Sequence, residues 1–253
     1  MEIKDNTFVI TGGAQGLGKA IGIALSAQGA NVALVDVNQA ALEQTEQECQ
    51  QGAGQVKAYV ANVADEQQVD DLFSAIEADL GSIAGLVNNA GILRDGLLVK
   101  AKDGVVTDRL SLEQWQSVID VNLTGVFLCG RAAATKMIES GSQGAIINIS
   151  SISRAGNAGQ SNYAASKAGV AALTVTWARE LARYGIRCAA IAPGVFETEM
   201  VASMKPEAYD RIVGAIPIAR TGQLDELADT VAYILGNDYV NGRIIELDGG
   251  LRL

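Results

Sequence analysis

The 253-residue sequence contains no histidine. Histidine is the side chain whose unperturbed pKa lies nearest neutrality. Its absence excludes imidazole-based catalytic triads and leaves only scattered thiols and carboxylates to bind zinc, so no metal is expected. Any acid or base at work here must be Tyr, Lys, Asp, Glu or Cys. Cysteine is scarce as well: Cys49, Cys129 and Cys188 are odd in number and far apart. That pattern reads as reduced thiols in a cytoplasmic protein, not as a disulfide frame. Positive charge is in deficit, with 19 Lys and Arg against 29 Asp and Glu and a net charge of −10. Nucleic acid, which is held through clustered cations, is not an expected partner. No run is expected to span a membrane, which needs about 20 apolar residues, and Met1-Glu2-Ile3-Lys4-Asp5 is not expected to open a signal peptide. Only three prolines occur (Pro193, Pro206, Pro217), with no repeat and no low-complexity tract.

What is present is alternation. Strand-like runs lie at Thr7–Thr11, Asn31–Val35, Val56–Val60, Ile83–Asn88, Ala145–Ser150, Arg187–Ala192 and Gly242–Leu247. Helical spacing lies between them at Leu17–Gln28, Gln39–Gln51, Glu66–Leu80, Leu112–Ile138, Ala164–Tyr184 and Leu224–Leu235. Alternating strands and helices imply βαβ units and a parallel sheet covered on both faces. The near-continuous apolar runs Val32–Val35 and Ile83–Val87 agree, because central parallel strands are buried on both sides. The expected fold is α/β, a Rossmann-like doubly wound parallel sheet of about seven strands. A chain of this length can form one such unit, so 1–253 is expected to be a single domain. Two stretches fit less well, Gly91–Arg109 and Val195–Ala219. Long irregular segments are often functional loops, and the second is a candidate substrate-covering lid.

Three features carry chemistry. The first is the turn Thr11-Gly12-Gly13-Ala14-Gln15-Gly16-Leu17-Gly18, after the first strand and before the first helix. Glycines there let backbone approach a pyrophosphate, and the helix N-terminus offers free N–H groups. The second is Asp36, ending the second strand. A carboxylate there accepts hydrogen bonds from the adenosine ribose hydroxyls and repels a 2′-phosphate. Gln15 and Val37 supply no compensating cation, so NAD is expected over NADP. The third is Tyr163-x-x-x-Lys167 opening a helix. Residues four apart share a helix face, and a neighbouring cation stabilises phenolate. Lowering a phenol from about 10 to about 7 needs roughly 4 kcal/mol of differential stabilisation.

These residues, with Asn88-Asn89-Ala90-Gly91, Asn122, Ser150-Ser151, Tyr163-Ala164-Ala165-Ser166-Lys167 and Pro193-Gly194, resemble the short-chain dehydrogenase/reductase family in order and spacing. The resemblance spans nearly the whole chain. It implies that Tyr163 exchanges the proton with the substrate oxygen, that Lys167 binds the nicotinamide ribose and lowers the Tyr pKa, and that Asn122 holds a water in the proton relay. A serine after the fifth strand should bond the substrate oxygen. The strand Ile146-Ile147-Asn148-Ile149 favours Ser151; counting back from Tyr163 picks Ser150. Gly12, Gln15, Gly16, Leu17, Gly18, Asp36, Asn89 and Gly91 are implied cofactor contacts. Asn62-Val63 would sit beside the adenine, although many members have Asp there. Pro193, Gly194, Phe196 and Thr198 would bracket the nicotinamide.

Within the family, Gly91–Leu98, Gly156–Gln160 and Glu197-Thr198-Glu199-Met200 look like those of 3-oxoacyl-thioester reductases and 3-hydroxyacyl-CoA dehydrogenases. The expected substrate is thus an acyl thioester or other small molecule, with a sugar, polyol or steroid alcohol as the alternative. An acidic acyl carrier protein is a poor electrostatic match for a chain of charge −10. Lys100–Arg109 resembles an insertion, either shaping the pocket or forming a solvated hairpin or subunit contact. Family members are usually tetramers or dimers, so a homotetramer is expected.

Overall fold

Seven apolar stretches become seven strands of one sheet. The computed structural model describes residues 1–252, apart from the side chain of Met200. The strands are β1 (Thr7–Thr11), β2 (Asn31–Asp36), β3 (Val56–Val60), β4 (Ile83–Asn88), β7 (Gly144–Ile149), β8 (Ile186–Pro193) and β9 (Ile244–Leu247). Their spatial order is β3-β2-β1-β4-β7-β8-β9, and every neighbouring pair is parallel. Parallel neighbours cannot be joined by a tight turn, so each connection crosses a face of the sheet, mostly as a helix. The order reverses between β1 and β4. Ligands of open α/β sheets bind at that switch point, beyond the carboxyl ends of the strands.

The helices are α1 (Gly16–Ala27), α2 (Gln39–Cys49), α3 (Glu66–Leu80), α4 (Leu112–Ile119), α5 (Gly125–Glu139), α6 (Ser161–Glu180), α7 (Glu199–Ala202), α8 (Pro206–Ala215) and α9 (Leu224–Gly236). Their starts are set locally. Asn38 and Asp65 accept hydrogen bonds from the Ala41 and Gln68 amides, and Ser111 with Gln114 forms a reciprocal capping box. One core lies between the sheet and α3, α5 and α6, around Phe73, Ile76, Met137, Ile146 and Trp177. The other lies between the sheet and α1, α2 and α9, around Ile10, Ile21, Leu42, Val231 and Ile234.

Two expectations need correction. The segment expected as one helix over Leu112–Ile138 is interrupted by a wide π turn at Asp120–Thr124. There the Asn122 amide turns inward and holds the backbone of Ile92, with Oδ1 accepting from Ile92 N at 2.8 Å and Nδ2 donating to Ile92 O at 2.9 Å. This tertiary clamp has no counterpart in periodicity. The same stretch, Leu112–Glu139, is long and apolar enough to cross a membrane by length and composition alone, a test that a buried core helix also passes. Some 56% of its most apolar window is buried inside the molecule. Finally, Gly91–Arg109 is not irregular throughout. It contains the antiparallel pair β5 (Val99–Lys102) and β6 (Val105–Arg109). The two-residue turn between them is Asp103-Gly104, both at positive φ (51° and 78°), as a tight hairpin of the I′ type requires. Every residue of both strands is exposed. In the single chain the insertion is thus an exposed hairpin.

The contrast between core and hairpin is testable by thermal and denaturant unfolding. Phe73, fully buried, should cost about 3–5 kcal/mol on Phe73→Ala. Replacing 100–108 by Gly-Gly should move Tm by less than about 3 °C, because it removes no core contact.

Candidate active site

The carboxyl ends of β1 and β4 meet over the glycine turn. Thr11 Oγ1 accepts the amides of Asn89 and Ala90 at 3.0 and 3.1 Å, and Asn89 Nδ2 donates to the carbonyls of Thr11 and Gly12, both at 3.0 Å. Asn89 therefore ties strand end to turn, and it also lines the groove beyond. Gly12 has φ +66°, and a Cβ there would come within 2.9 Å of Ala90 Cα. At Gly18 a Cβ would lie 2.1 Å from the Gly12 carbonyl oxygen. Only glycine permits so close a return of the chain.

Gly12, Gln15, Gly16, Leu17, Asp36, Asn89, Gly91, Thr198 and Glu199 line a groove of about 310 Å³. At its far end Asp36 is half-exposed. Its Oδ1 accepts the Val37 and Asn38 amides at 2.8 and 3.1 Å, which fixes the carboxylate toward the groove rim. A backbone cradle at a helix N-terminus, with an acidic residue at the end of the next strand, fits the pyrophosphate and ribose of a nicotinamide dinucleotide. Asn62 and Val63 do not join this lining. Asn62 is exposed and spends its Oδ1 on the Ala64 amide at 3.0 Å, while Val63 is buried against Gly125.

Leu17 and Thr198 are shared with a second, larger cavity of about 400 Å³. Its walls include Ser151, Tyr163, Pro193, Gly194 and Phe196. Much of the rest is apolar, from Leu93, Ile152, Val201, Ile212 and Leu251. The expected lid segment supplies several of these residues. Groove and cavity therefore meet at Leu17 and Thr198, and Tyr163 lines the cavity, which suits hydride transfer between a ring in one and a carbonyl carbon in the other.

The two serines separate clearly. Ser150 Oγ donates to the Lys167 carbonyl at 2.8 Å and is buried, so it pins β7 to α6. Ser151 lines the cavity with Tyr163, lies close enough to the phenol to favour its ionised form, and accepts the Ser153 amide at 3.1 Å. Its hydroxyl oxygen thus caps a turn at the cavity wall. Tyr163 itself is held by Asn162, which accepts the Tyr163 amide at 2.8 Å and donates to the Arg94 and Gln114 carbonyls. Asn162 escaped the sequence reading, although an Asn in the first turn of a helix is a recognisable signal for satisfying free amides.

Lys167 is buried, its Nζ donating to the Ile149 carbonyl at 2.7 Å and lying 5.6 Å from the Tyr163 ring centroid. Asn122 and Lys167 converge behind Gly91: a Cβ there would sit 3.4 Å from Asn122 Oδ1 and 3.7 Å from Lys167 Nζ. Burial pushes the ammonium down to about 8. Burial pushes the Tyr163 phenol up; the Ser151 hydrogen bond opposes this and Asp95 adds to it. Burial thus works against the lowering expected from Lys167. Asn88, Asn148 and Thr174 form a further buried chain from β4 through β7 to α6, with links of 2.9 Å each.

The Lys167 shift has a definite sign. Its folded pKa, about 8, lies below the ordinary 10.5. Below pH 8 the buried charge opposes folding in full. Between 8 and 10.5 the unfolded chain binds more protons, so stability rises with pH. Thermal unfolding of wild type and Lys167→Met should show the variant relatively favoured at pH 7, with that advantage shrinking toward pH 10.

Residues 6–208 match the family model described as short chain dehydrogenase. The chain is 39% identical to the 3-oxoacyl-[acyl-carrier-protein] reductase of Thermotoga maritima, covering 99% of each. It is 37% identical to the (3R)-3-hydroxyacyl-CoA dehydrogenase of Rattus norvegicus, covering 99% of this chain and 98% of that one. A levodione reductase crystal structure superposes with a TM-score of 0.87 at 36% identity, covering 98% of this chain and 97% of that one. With a family model spanning most of the chain and relatives aligned end to end, this protein belongs to the short-chain dehydrogenase family and is an oxidoreductase.

Proposed function

We propose that the protein interconverts a 3-hydroxyacyl and a 3-oxoacyl thioester with NAD(H), residues 1–253 acting as one catalytic unit. The observation that carries this reading is the meeting, at Leu17 and Thr198, of the phosphate-cradling groove and a largely apolar cavity lined by Ser151 and Tyr163. Two named relatives support the substrate class: a 3-oxoacyl-[acyl-carrier-protein] reductase and a 3-hydroxyacyl-CoA dehydrogenase, each matched over nearly its full length.

The cofactor contacts are Gly12, Gln15, Gly16, Leu17, Gly18, Asp36, Asn89 and Gly91 on the adenosine and pyrophosphate side. The resemblance also assigns Asn62 and Val63 to the adenine, although neither lines the groove, and Pro193, Gly194, Phe196 and Thr198 bracket the ring. A bound nicotinamide dinucleotide supplies or takes up the hydride. The Asp36 carboxylate, with no cation beside it at Gln15 or Val37, favours the free ribose hydroxyls of NAD over a 2′-phosphate.

The chain's own residues handle the oxygen. In the reductive direction Ser151 Oγ and the Tyr163 hydroxyl donate to the substrate carbonyl, where negative charge develops. Tyr163 then passes its proton to that oxygen, and burial, by keeping the phenol protonated, readies it as the acid. Lys167, positively charged near neutrality, stabilises the phenolate left behind and orients the ribose. Asn122, braced on Ile92, lines the route by which the proton is replaced. The apolar walls accept the acyl chain and exclude water. Charge repulsion disfavours an acidic carrier protein, so coenzyme A is the preferred thioester handle. We further propose a homotetramer, for which light scattering should return roughly four times the chain mass.

The decisive assay pairs NADH and NADPH with acetoacetyl-CoA. Turnover with NADH and little with NADPH is expected. NADPH preference would overturn the cofactor assignment, and no turnover with either would move the substrate to a sugar, polyol or steroid alcohol. Asp36→Ala combined with Val37→Arg should raise NADPH use at the expense of NADH. Tyr163→Phe should lower kcat by about 100-fold or more while cofactor affinity, read by NADH fluorescence, stays near wild type.

A further inference from the structure

Helix α8 covers one side of the apolar cavity, presenting Ile212 to it. Its apolar seat is small. Ile212 packs with Ile216, Ile152 and Leu251 in a cluster separate from the two main cores. Ile152 directly follows Ser151, so this seat bears on the oxygen-binding end of the cavity. Among the described residues, the polar side-chain ties from α8 to the rest of the chain all run through one group, the Tyr209 hydroxyl. The Tyr209 hydroxyl donates to Glu197 Oε2 at 3.2 Å and lies 3.4 Å from Thr221 Oγ1.

The receiving side of that bond is rigid. Thr221 Oγ1 donates to the same Glu197 Oε2 at 2.5 Å, and Thr221 is buried. Around the carboxylate the backbone is paired: Glu197 N donates to Gly222 O at 2.8 Å, and Gly222 N to Val195 O at 2.9 Å. Glu197 also sits between Phe196 and Thr198, two residues of the cavity wall, and Thr198 faces the cofactor groove as well. One carboxylate oxygen thus joins a firm strand edge to a lightly seated helix. A hydrogen bond accepted by a charged oxygen is about twice as strong as a neutral one, which is what a weakly packed helix needs to keep a defined position.

We propose that Glu197 and Tyr209 are positioning residues that hold α8 against the substrate cavity and thereby set substrate affinity separately from cofactor affinity. The proposal rests on the reading of the larger cavity as the substrate site. Neither residue touches the reacting atoms. Their effect runs through Ile212 and Ile152. Tyr209→Phe removes the tie to α8 and leaves the Thr221–Glu197 bond and the cofactor groove intact. Glu197→Gln keeps an oxygen able to accept from both Thr221 and Tyr209, whereas Glu197→Ala keeps none.

The test has two arms on the intact enzyme. The first is amide hydrogen exchange over 206–215, which needs no substrate. Tyr209→Phe and Glu197→Ala should speed exchange there roughly tenfold, with Glu197→Gln much closer to wild type and the buried strands β4 and β7 unchanged in all three. The second is steady-state kinetics with acetoacetyl-CoA and NADH. Tyr209→Phe should raise substrate KM roughly tenfold, the value of one such bond, while kcat and the NADH Kd stay within about twofold. Unchanged exchange over 206–215 in Tyr209→Phe overturns the proposal, as does a KM that rises no more than the NADH Kd, or a Glu197→Gln as loose as Glu197→Ala. Failure of wild type to turn over acetoacetyl-CoA would defeat the thioester reading instead, and the exchange arm would still decide the latch.

Discussion

A buried ammonium governs how this molecule is built around its centre. Lys167 is removed from solvent, and desolvation of a cation is expensive enough to pull its pKa down to about 8. Its acceptor among the described residues, the Ile149 carbonyl, belongs to the end of β7. The register between β7 and α6 therefore has to be exact to within a hydrogen-bond length. Three buried contacts enforce it: Ser150 Oγ on the Lys167 carbonyl, Asn148 on Thr174, and Asn88 on Asn148. Removing any of them would loosen the strand that holds the ammonium. Such networks specify one arrangement because an unpaired buried polar group costs more than a paired one gains.

The same geometry explains how two carbon–oxygen chemistries share one phenol. Burial holds Tyr163 protonated in the unligated chain, while Ser151 pulls the other way. A positive charge brought near by a bound oxidised cofactor would shift that balance toward phenolate, so the direction of proton transfer can follow the redox state of the ring. The site is accordingly assembled from parts that differ in firmness. Tyr163, Lys167 and Ser151 stand on β7 and α6 between the main cores. The cavity wall opposite them stands on α7 and α8, seated on the small Ile152, Ile216 and Leu251 cluster. Firm chemistry facing a lightly held wall suits an enzyme whose substrate must enter and leave at every turnover.

Much of this was legible in one sequence. Period-2 and period-3.6 patterning located the sheet strands and main helices to within a few residues, because buried parallel strands leave little freedom in residue type. The glycine turn, Asp36 and the Tyr163–Lys167 pair were visible as motifs because each rests on local geometry. Other features were not. The π turn at Asp120–Thr124 exists where Asn122 finds Ile92, some thirty residues away, and no periodicity records such a meeting. The hairpin is different: Asp103-Gly104 is a local signal for a tight turn, and it lay unread inside a stretch of mixed character. Asn62 and Val63, placed by resemblance beside the adenine, are occupied by a loop turn and by packing on Gly125.

The sequence by itself determined the fold class and the place of the glycine turn and Asp36 at the strand ends, and it singled out the proposed acid, since with no histidine a phenol beside a lysine is the strongest candidate left. Spacing along the chain is enough for those, because they depend on residues within a turn or two of one another. Tertiary structure alone decided which serine faces the phenol and which clamps α6, that burial raises the Tyr163 pKa despite the nearby cation, and that Glu197 reaches across to Tyr209. Each of these depends on distances between segments remote in sequence and on the dielectric that packing creates around them. A side chain's electrostatic surroundings come into being only when the chain has folded.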